Sequence, residues 1–313
     1  MHPANLIVWK GRTMNAEQAN EISLISILDL LGISAVKKKS NEVWYLSPFR
    51  KENTASFHVN ISRNIWFDHG EAKGGTVVDF VCMYLKSHCE SNTVVDALRW
   101  LKNMHPSSVT QFSQPEEEAD QCVPGLDLRK LSALQNPLFI SYLNTRGIHF
   151  PLAKKYLKEA TIYNKHTGKS FQALCLRNEN GGYELRNKFF KGCIAPKGIS
   201  FIRGSKFLPE EIHVFEGLMD FLSALMHEKK SQFEGDVIIL NSISCLKESF
   251  IYIGNYSYKT IYTWLDNDVA GKNATKALYE FAKHHGDLKF SPMNKIYTKH
   301  KDINDWLTNK PKP

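Results

Sequence analysis

From Glu210 onward the chain alternates strand and helix text: IHVFE, a helical run through His227, DVIILN, a second helix near Leu246, KTIYTWLD, and a third helix to His284. This rhythm limits the fold more than any other feature. Strands separated by connections of about a dozen residues or more pair in parallel, because a parallel crossover needs that length. An open, mostly parallel α/β sheet is therefore predicted for this block. Ligands of such sheets collect beyond the carboxyl ends of the strands.

Those ends are acidic. IHVF runs into Glu216-Gly217, with Asp220 one turn further on, and TIYTWL runs into Asp266-Asn267-Asp268. Lys301-Asp302-Ile303-Asn304-Asp305 then opens a short amphipathic helix. Like charges brought within a few ångströms repel unless a cation lies between them. Hard carboxylate oxygens left partly open to water suit Mg²⁺, which binds through one or two carboxylates plus substrate phosphates. Such a set is the protein half of a metal-assisted phosphoryl-transfer site. Singly, each acid reads as a helix cap; as an ordered set they point to metal. Asp220, four residues after Glu216 on the same helix face, is read as an exposed helix acid, the alternative being support of the metal-binding acids from behind. Lys272, after Asp266-Asn267-Asp268-Val269-Ala270-Gly271, begins a helix where it can meet nucleotide phosphates.

Composition sets the surroundings. Forty Lys and Arg against 32 Asp and Glu leave +8 across 313 residues, which suits a polyanionic partner. A hydrophobic share of 42% excludes wholesale disorder. No apolar run reaches the ~18–20 residues of a membrane span, and the start MHPANLIVWKGRTMN has no signal-peptide core. The six cysteines (82, 89, 122, 175, 193, 245) form no C-x-x-C pair, which argues against a disulfide framework and a thiolate zinc site. A cytoplasmic protein without a membrane partner is expected.

Upstream, Ile22, Ile25, Leu28 and Leu31 mark a helix stopped by Gly32. Strand runs follow at 43–49, 56–61 and 64–70, then helices from Val77 and Val94, so residues 1–105 read as a small sheet flanked by helices. Residues 106–125 are rich in Pro, Ser and Gln, with an acidic run at Glu116–Asp120, and read as a linker. Residues 126–208 mix helical text with strand runs at 161–165, 171–176, 183–190 and 200–204, and Asn180-Gly181-Gly182 is a hairpin signal. The last block is 209–313.

The series E-G-x-x-D (216–220), D-x-D (266–268) and K-D-x-N-D (301–305) resembles a Toprim domain, the module of DnaG-type primases, topoisomerases and OLD-family nucleases. VFEGLMDFLSAL and KDINDWL are most similar to the DnaG-type primases of plasmids, phages and mobile elements. The resemblance implies that Glu216, Asp266 and Asp268 are catalytic, and that with Asp302 they hold Mg²⁺ (or Mn²⁺). The family often has a second acid two positions after Asp302; Asn304 stands there, Asp305 is displaced by one, and which takes the role is open.

SPFRKENTASFHVNISRNIWFDHGEAKGGTVVDFV resembles the CHC2 zinc ribbon of the same family. Pro48, Phe49, Lys51, Thr54, Ser56, Phe57, Gly74, Gly75, Asp79, Phe80 and Val81 fit its pattern. The ligand positions hold Ser47, Arg50, Asp68 and Glu71, none a thiolate or imidazole, so no zinc is expected. An Arg50–Asp68/Glu71 cluster is predicted in its place, because a guanidinium bridges carboxylates bidentately. Lys51, Arg63 and Lys73, with Trp44, Trp66 and Phe67, suit single-stranded DNA. In the middle block Arg186, Lys188, Lys191 and Arg203 are candidate template contacts.

The resemblance thus implies a zinc-ribbon-like module (1–105), a linker, a mixed α+β subdomain of a primase core (126–208) and a Toprim domain with a Rossmann-like parallel sheet (209–313). It implies a nucleotidyltransferase making short primers on single-stranded DNA from nucleoside triphosphates, with room for a replicative helicase or other replication protein as partner. No helicase text follows KDINDWL, so a stand-alone enzyme of a plasmid or mobile element is expected. A Toprim nuclease would use the same carboxylates, and a catalytically degenerate DNA-binding protein would keep only the fold.

Overall fold

The computed structural model describes residues 14–88, 92–104, 122–286 and 288–309. It falls into two compact units, residues 1–109 and 110–313. Most of the sequence-predicted linker, residues 106–121, lies outside the described residues, as does the acidic run within it.

In the first unit, helices α1 (Ala16–Asn20) and α2 (Leu24–Leu30) precede a five-stranded antiparallel meander. Its strands are β1 (Lys37–Lys39), β2 (Glu42–Tyr45), β3 (Phe57–Asn60), β4 (Ile65–Asp68) and β5 (Lys73–Gly75). Helices α3 (Val77–Ser87) and α4 (Val94–Met104) close it. Alternation divides the faces. Val43, Tyr45, Phe57, Val59 and Trp66 point into a core with Leu24, Ile27, Phe80 and Val81. The opposite face carries one row, Lys37, Trp44, His58, Phe67 and Gly74, registered across all five strands. Asp79, three residues into α3, accepts the Thr76 N–H and hydroxyl, each at 2.8 Å, and so starts the helix. A Cβ on Gly75 would stand 2.6 Å from that carboxylate, so the second glycine of the Gly-Gly pair is needed for the approach.

The second unit opens with β6 (Leu126–Ala133), a strand absent from the sequence reading, then α5 (Pro137–Thr145) and α6 (Phe150–Tyr156). Next come β7 (Lys158–Asn164), β8 (Lys169–Arg177), β9 (Tyr183–Arg186) and β10 (Lys191–Ile194). These strands form an antiparallel sheet in the order β10-β9-β8-β7-β6. Asn180-Gly181-Gly182 makes the β8–β9 turn as its composition demands. The run 183–190 is not one strand: Asn187 ends β9, and a second hairpin turn leads to β10.

Cys122 and Cys193 are joined by a disulfide, against the expectation from their scatter in sequence. Spacing sees only neighbours. Here the sheet curls until β10 and β6 touch, which brings together residues 71 apart in the chain.

The last sheet has the order β11-β13-β12-β14-β15. Its members are β11 (Ser200–Ile202), β12 (Glu211–Phe215), β13 (Asp236–Ile239), β14 (Thr260–Trp264) and β15 (Lys289–Pro292), parallel except for antiparallel β11. Residues 200–202 are thus hydrogen-bonded into the C-terminal sheet although they precede position 208. Helices α7 (Leu218–Glu228), α8 (Leu246–Gly254) and α9 (Val269–His284) supply the crossovers, and α10 (Ile303–Asn309) ends the described chain. One core joins α5 and α6 to this domain, with Phe139, Leu143 and Ile148 packed in the same cluster as Phe215, Phe221, Leu222 and Ile303. No helix among the described residues is long and apolar enough to cross a membrane.

Candidate metal centre

After the edge strand β11 the chain lays down β12 at the centre of this sheet, then places β13 on one side and β14 on the other. The order therefore switches between β12 and β14, where an open sheet leaves a crevice at its carboxyl end. Phe215 and Trp264 pair at that end, so Glu216 and Asp266 emerge side by side. The Glu216 carboxylate accepts the Asp266 N–H at 3.1 Å, which fixes one acid against the backbone of the other. A Cβ on Gly271 would meet the Asp266 carbonyl at 2.2 Å, so the start of α9 can approach this loop only with glycine there.

Asn267, between the two aspartates, faces away from the acids and anchors the third segment. Its N–H donates to the Lys301 carbonyl at 2.7 Å and its Nδ2 to the Tyr297 and His300 carbonyls, each at 2.9 Å. Asp302 is thereby held opposite Asp266. Oxygens of Asp220, Asp266 and Asp302 lie within 4.8 Å of one another, and Asp220 is buried. This corrects the reading of Asp220 as an exposed helix acid. The signal was in the text: LMDFLSAL is apolar almost all round, and a helix apolar all round is buried, so its one acid is buried too.

Asn304 and Asp305 both turn away from the acids. Asn304 is buried and its Nδ2 donates to the Arg146 carbonyl at 2.8 Å and the Ser223 hydroxyl at 2.7 Å, tying α10 to α5 and α7. Asp305 faces His300 Nδ1 at 3.0 Å. Asp268 uses one oxygen to cap α9, accepting the Gly271 N–H at 3.0 Å, and its other oxygen lies 3.5 Å from Lys301 Nζ. The same ammonium is 3.3 Å from Asp266.

The electrostatics follow from burial and crowding. Burial, reinforced by the Asp266 charge, pushes Glu216 up to about 7. Burial and then the Asp302 charge push Asp266 up to about 6. Asp220 is raised well above the usual carboxylate range, by burial and by the three neighbouring acids. Lys301 is raised, chiefly by Asp266. Lys301 offsets Asp266 and Asp268, while the converging oxygens of Asp220, Asp266 and Asp302 fit a hard divalent cation.

Glu216, Asp220, Asp266 and Asp302 line a cavity of about 640 Å³. Arg146, Arg186, Lys191, Lys247 and Lys301 also line it, with Ser242, Ser244 and Asn273. Arg186 and Lys191 were legible in the sequence as candidate contacts; Arg146, Lys247 and the serines were not, since they come from two distant stretches with no shared motif. Lys188 and Arg203 lie outside the lining. So does exposed Lys272: Ala270, Asn273 and Ala274, spaced three and four apart, turn toward the cavity, which points Lys272 elsewhere.

The ribbon-like module shows a different solution to clustered charge. Arg50 grips Asp68 bidentately, Nη1 and Nη2 lying 2.9 and 2.8 Å from its two oxygens, while the Ser47 hydroxyl donates to Asp68 at 2.6 Å. Nη2 also reaches Glu52 at 2.8 Å. Glu71, assigned to the cluster from sequence, is only at its rim, 4.0 Å from Nη1. The nearer acid, Glu52, was missed because it has no counterpart among the four ligand positions. Of the aromatics, Trp66 is core, whereas Trp44 stacks on His58 and His69 at 5.1 and 5.3 Å on the open face, near Phe67. Lys51, Arg63 and Lys73 are exposed.

A parallel sheet whose switch point carries buried acids facing a basic wall defines a Toprim-class domain. The family profile described as Toprim-like matches residues 213–307, and that of the CHC2 zinc finger matches 14–112. Between them, residues 128–195 match a domain of unknown function (DUF8464). A DNA primase of Legionella pneumophila is 26% identical over 146 residues, 44% of this chain and 24% of that protein, so the match spans about a quarter of the relative's length. The two profiles and this relative together support a likeness to the DnaG-type primases. Among solved structures, the zinc-binding and RNA polymerase domains of Aquifex aeolicus primase share 15% identity at TM-score 0.38, over 90% of this chain and 82% of that one. The primase fragment of the bacteriophage T7 primase-helicase protein shares 17% at TM-score 0.38, over 81% and 89%. The assignment rests on the profiles and the curated relative, since these two likenesses are too low to add to it.

Proposed function

We propose that the chain is a DNA primase that joins nucleotides on a single-stranded DNA template, and that the cavity is its active site. The observation that carries this reading is the pairing, in one cavity, of a buried acid cluster with a basic wall. Glu216, Asp220, Asp266 and Asp302 would hold Mg²⁺ or Mn²⁺, with Asp268 beside them. The bound ion supplies charge neutralisation at the reacting phosphate and activation of the attacking 3′-hydroxyl. Lys247, Arg146 and Lys301 would bind and orient the triphosphate, and Arg186 and Lys191 the template phosphates. Pyrophosphate leaves as the phosphodiester forms.

In the ribbon-like module the open row of Trp44, His58 and Phe67, together with the exposed Lys51, Arg63 and Lys73, suits unpaired bases and their phosphates. We read this module as working without zinc, with Arg50 supplying the positive charge; stoichiometric zinc in the purified protein would sink that reading. The likeness of VFEGLMDFLSAL and KDINDWL to plasmid and phage sequences supports a role in replicating a mobile element in the cytoplasm, alongside a helicase.

The deciding experiment is template-dependent synthesis with single-stranded DNA, nucleotides and Mg²⁺, beside an Asp266→Ala/Asp268→Ala control. Product that vanishes in the control is expected. Cleavage without synthesis would instead make the chain a Toprim nuclease, and binding alone a scaffold.

A further inference from the structure

The loop from β9 to β10, residues 187–190, carries the most exposed large apolar side chain among the described residues. Phe189 is 90% exposed, while Phe190 beside it packs edge-on against Phe171 at 5.1 Å. Single exposed apolar residues are ordinary. This one is set apart by how firmly it is presented and by what surrounds it.

Asn187 builds the turn. Its Oδ1 accepts the Phe189 N–H at 2.8 Å, its Nδ2 donates to the Gln172 carbonyl at 2.9 Å, and its N–H donates to the Phe190 carbonyl at 2.9 Å. Three hydrogen bonds from one residue hold one phenylalanine in and the next out. The Lys188 ammonium lies 5.6 Å from the centre of the Phe189 ring. At the foot of the hairpin Arg186 and Lys191 face each other in register, and both line the cavity that holds the acids. Arg186 is steadied by the hydrogen bond from its Nε to the Tyr142 hydroxyl at 3.1 Å.

An exposed ring on a hydrogen-bonded turn, next to Lys188 and to a cation pair that lines the cavity, matches what an unpaired base and its phosphates require. We propose that Phe189 is a stacking post for a base of single-stranded nucleic acid beside the active site, with Lys188, Arg186 and Lys191 on the adjoining phosphates. The proposal rests on the reading of the cavity as a site of template-directed synthesis and adds the course of the strand outside it. The β9–β10 hairpin then sets how the strand enters. Stacking accepts any base, so the contact is indifferent to sequence.

The test is fluorescence anisotropy of a short labelled oligothymidylate with the full chain, across a salt series. Phe189→Ala should weaken binding about ten-fold with an unchanged salt slope, and Phe189→Trp should restore it. Lys188→Ala should instead lower the slope by about one phosphate's worth. Equal affinity of wild type and Phe189→Ala overturns the stacking post alone. A changed slope in Phe189→Ala overturns it as well, because the residue would then act through charge. Failure of the wild type to bind any strand overturns both this and the reading of the cavity.

Discussion

The ribbon-like module and the Toprim-class domain each gather several carboxylates, and the two clusters behave in opposite ways. In the first, burial would raise Asp68 and Glu52, but hydrogen bonds outweigh it and hold both below their ordinary values: Arg50 and Ser47 act on Asp68, Ser56 and backbone N–H groups on Glu52. In the second, burial and mutual repulsion win, and Glu216, Asp220 and Asp266 are all raised. The difference lies in the count of partners. One guanidinium with five donors holds two acids at 2.8–2.9 Å, whereas the Lys301 ammonium, 62% exposed, stands 3.3 and 3.5 Å from Asp266 and Asp268. The first cluster is complete as it stands; the second is short of positive charge, which a divalent cation would supply.

Removing the guanidinium tests the first half most severely. Arg50→Ala leaves Asp68 buried without its counter-charge and should cost the N-terminal unit about 3–5 kcal/mol in urea unfolding. Arg50→Lys should recover little, since an ammonium cannot make the bidentate grip. A loss near zero would mean that the cluster is an ordinary surface pair.

The pH dependence should separate the second cluster from the rest. Glu216 and Asp266 titrate higher folded than unfolded, so protonation favours the fold. Their contribution is fully present below about 4 and is lost as pH rises through about 6 and 7. Without metal, wild type should therefore lose stability between pH 4 and pH 8 relative to Glu216→Gln/Asp266→Asn, on the order of a few kcal/mol. Buried His213, pushed down to about 3 by desolvation, opposes this trend below about 6.5, but it is common to both proteins and cancels. Parallel curves would refute the crowding.

Asp220→Asn offers a smaller, sharper probe. It should raise the metal-free melting temperature at pH 8 and abolish the further rise on adding Mg²⁺ or Mn²⁺; a full metal response would remove Asp220 from the ligand set. Lys301→Met should have the least effect on stability, below ~1 kcal/mol because the ammonium is mostly solvated. It should nonetheless tighten metal binding several-fold in calorimetry, since it removes a competing cation. Weaker binding would show that Lys301 shapes the site instead of screening it.

Much of this contrast was legible in the chain. The parallel sheet followed from strands spaced by helices, the acids from their positions at strand ends, and the Arg50–Asp68 pair from a ribbon pattern lacking thiolates. The aromatics were harder: Trp66 and Phe67 are adjacent, yet one is core and the other faces outward, because a strand alternates and only pairing sets its register. Asp220 was misjudged by treating it singly, when its helix has no polar side to offer.

By itself, then, the sequence determined what local spacing encodes: element type, strand direction, and which residue types close each strand. Tertiary structure decided what depends on residues far apart in the chain. It set Arg146, Arg186, Lys191 and Lys247 around the acids, joined Cys122 to Cys193, and turned Asn304 inward to hold α10. The physical reason is range. Backbone geometry acts over a few residues, whereas burial and charge act through space and are fixed only when the core closes.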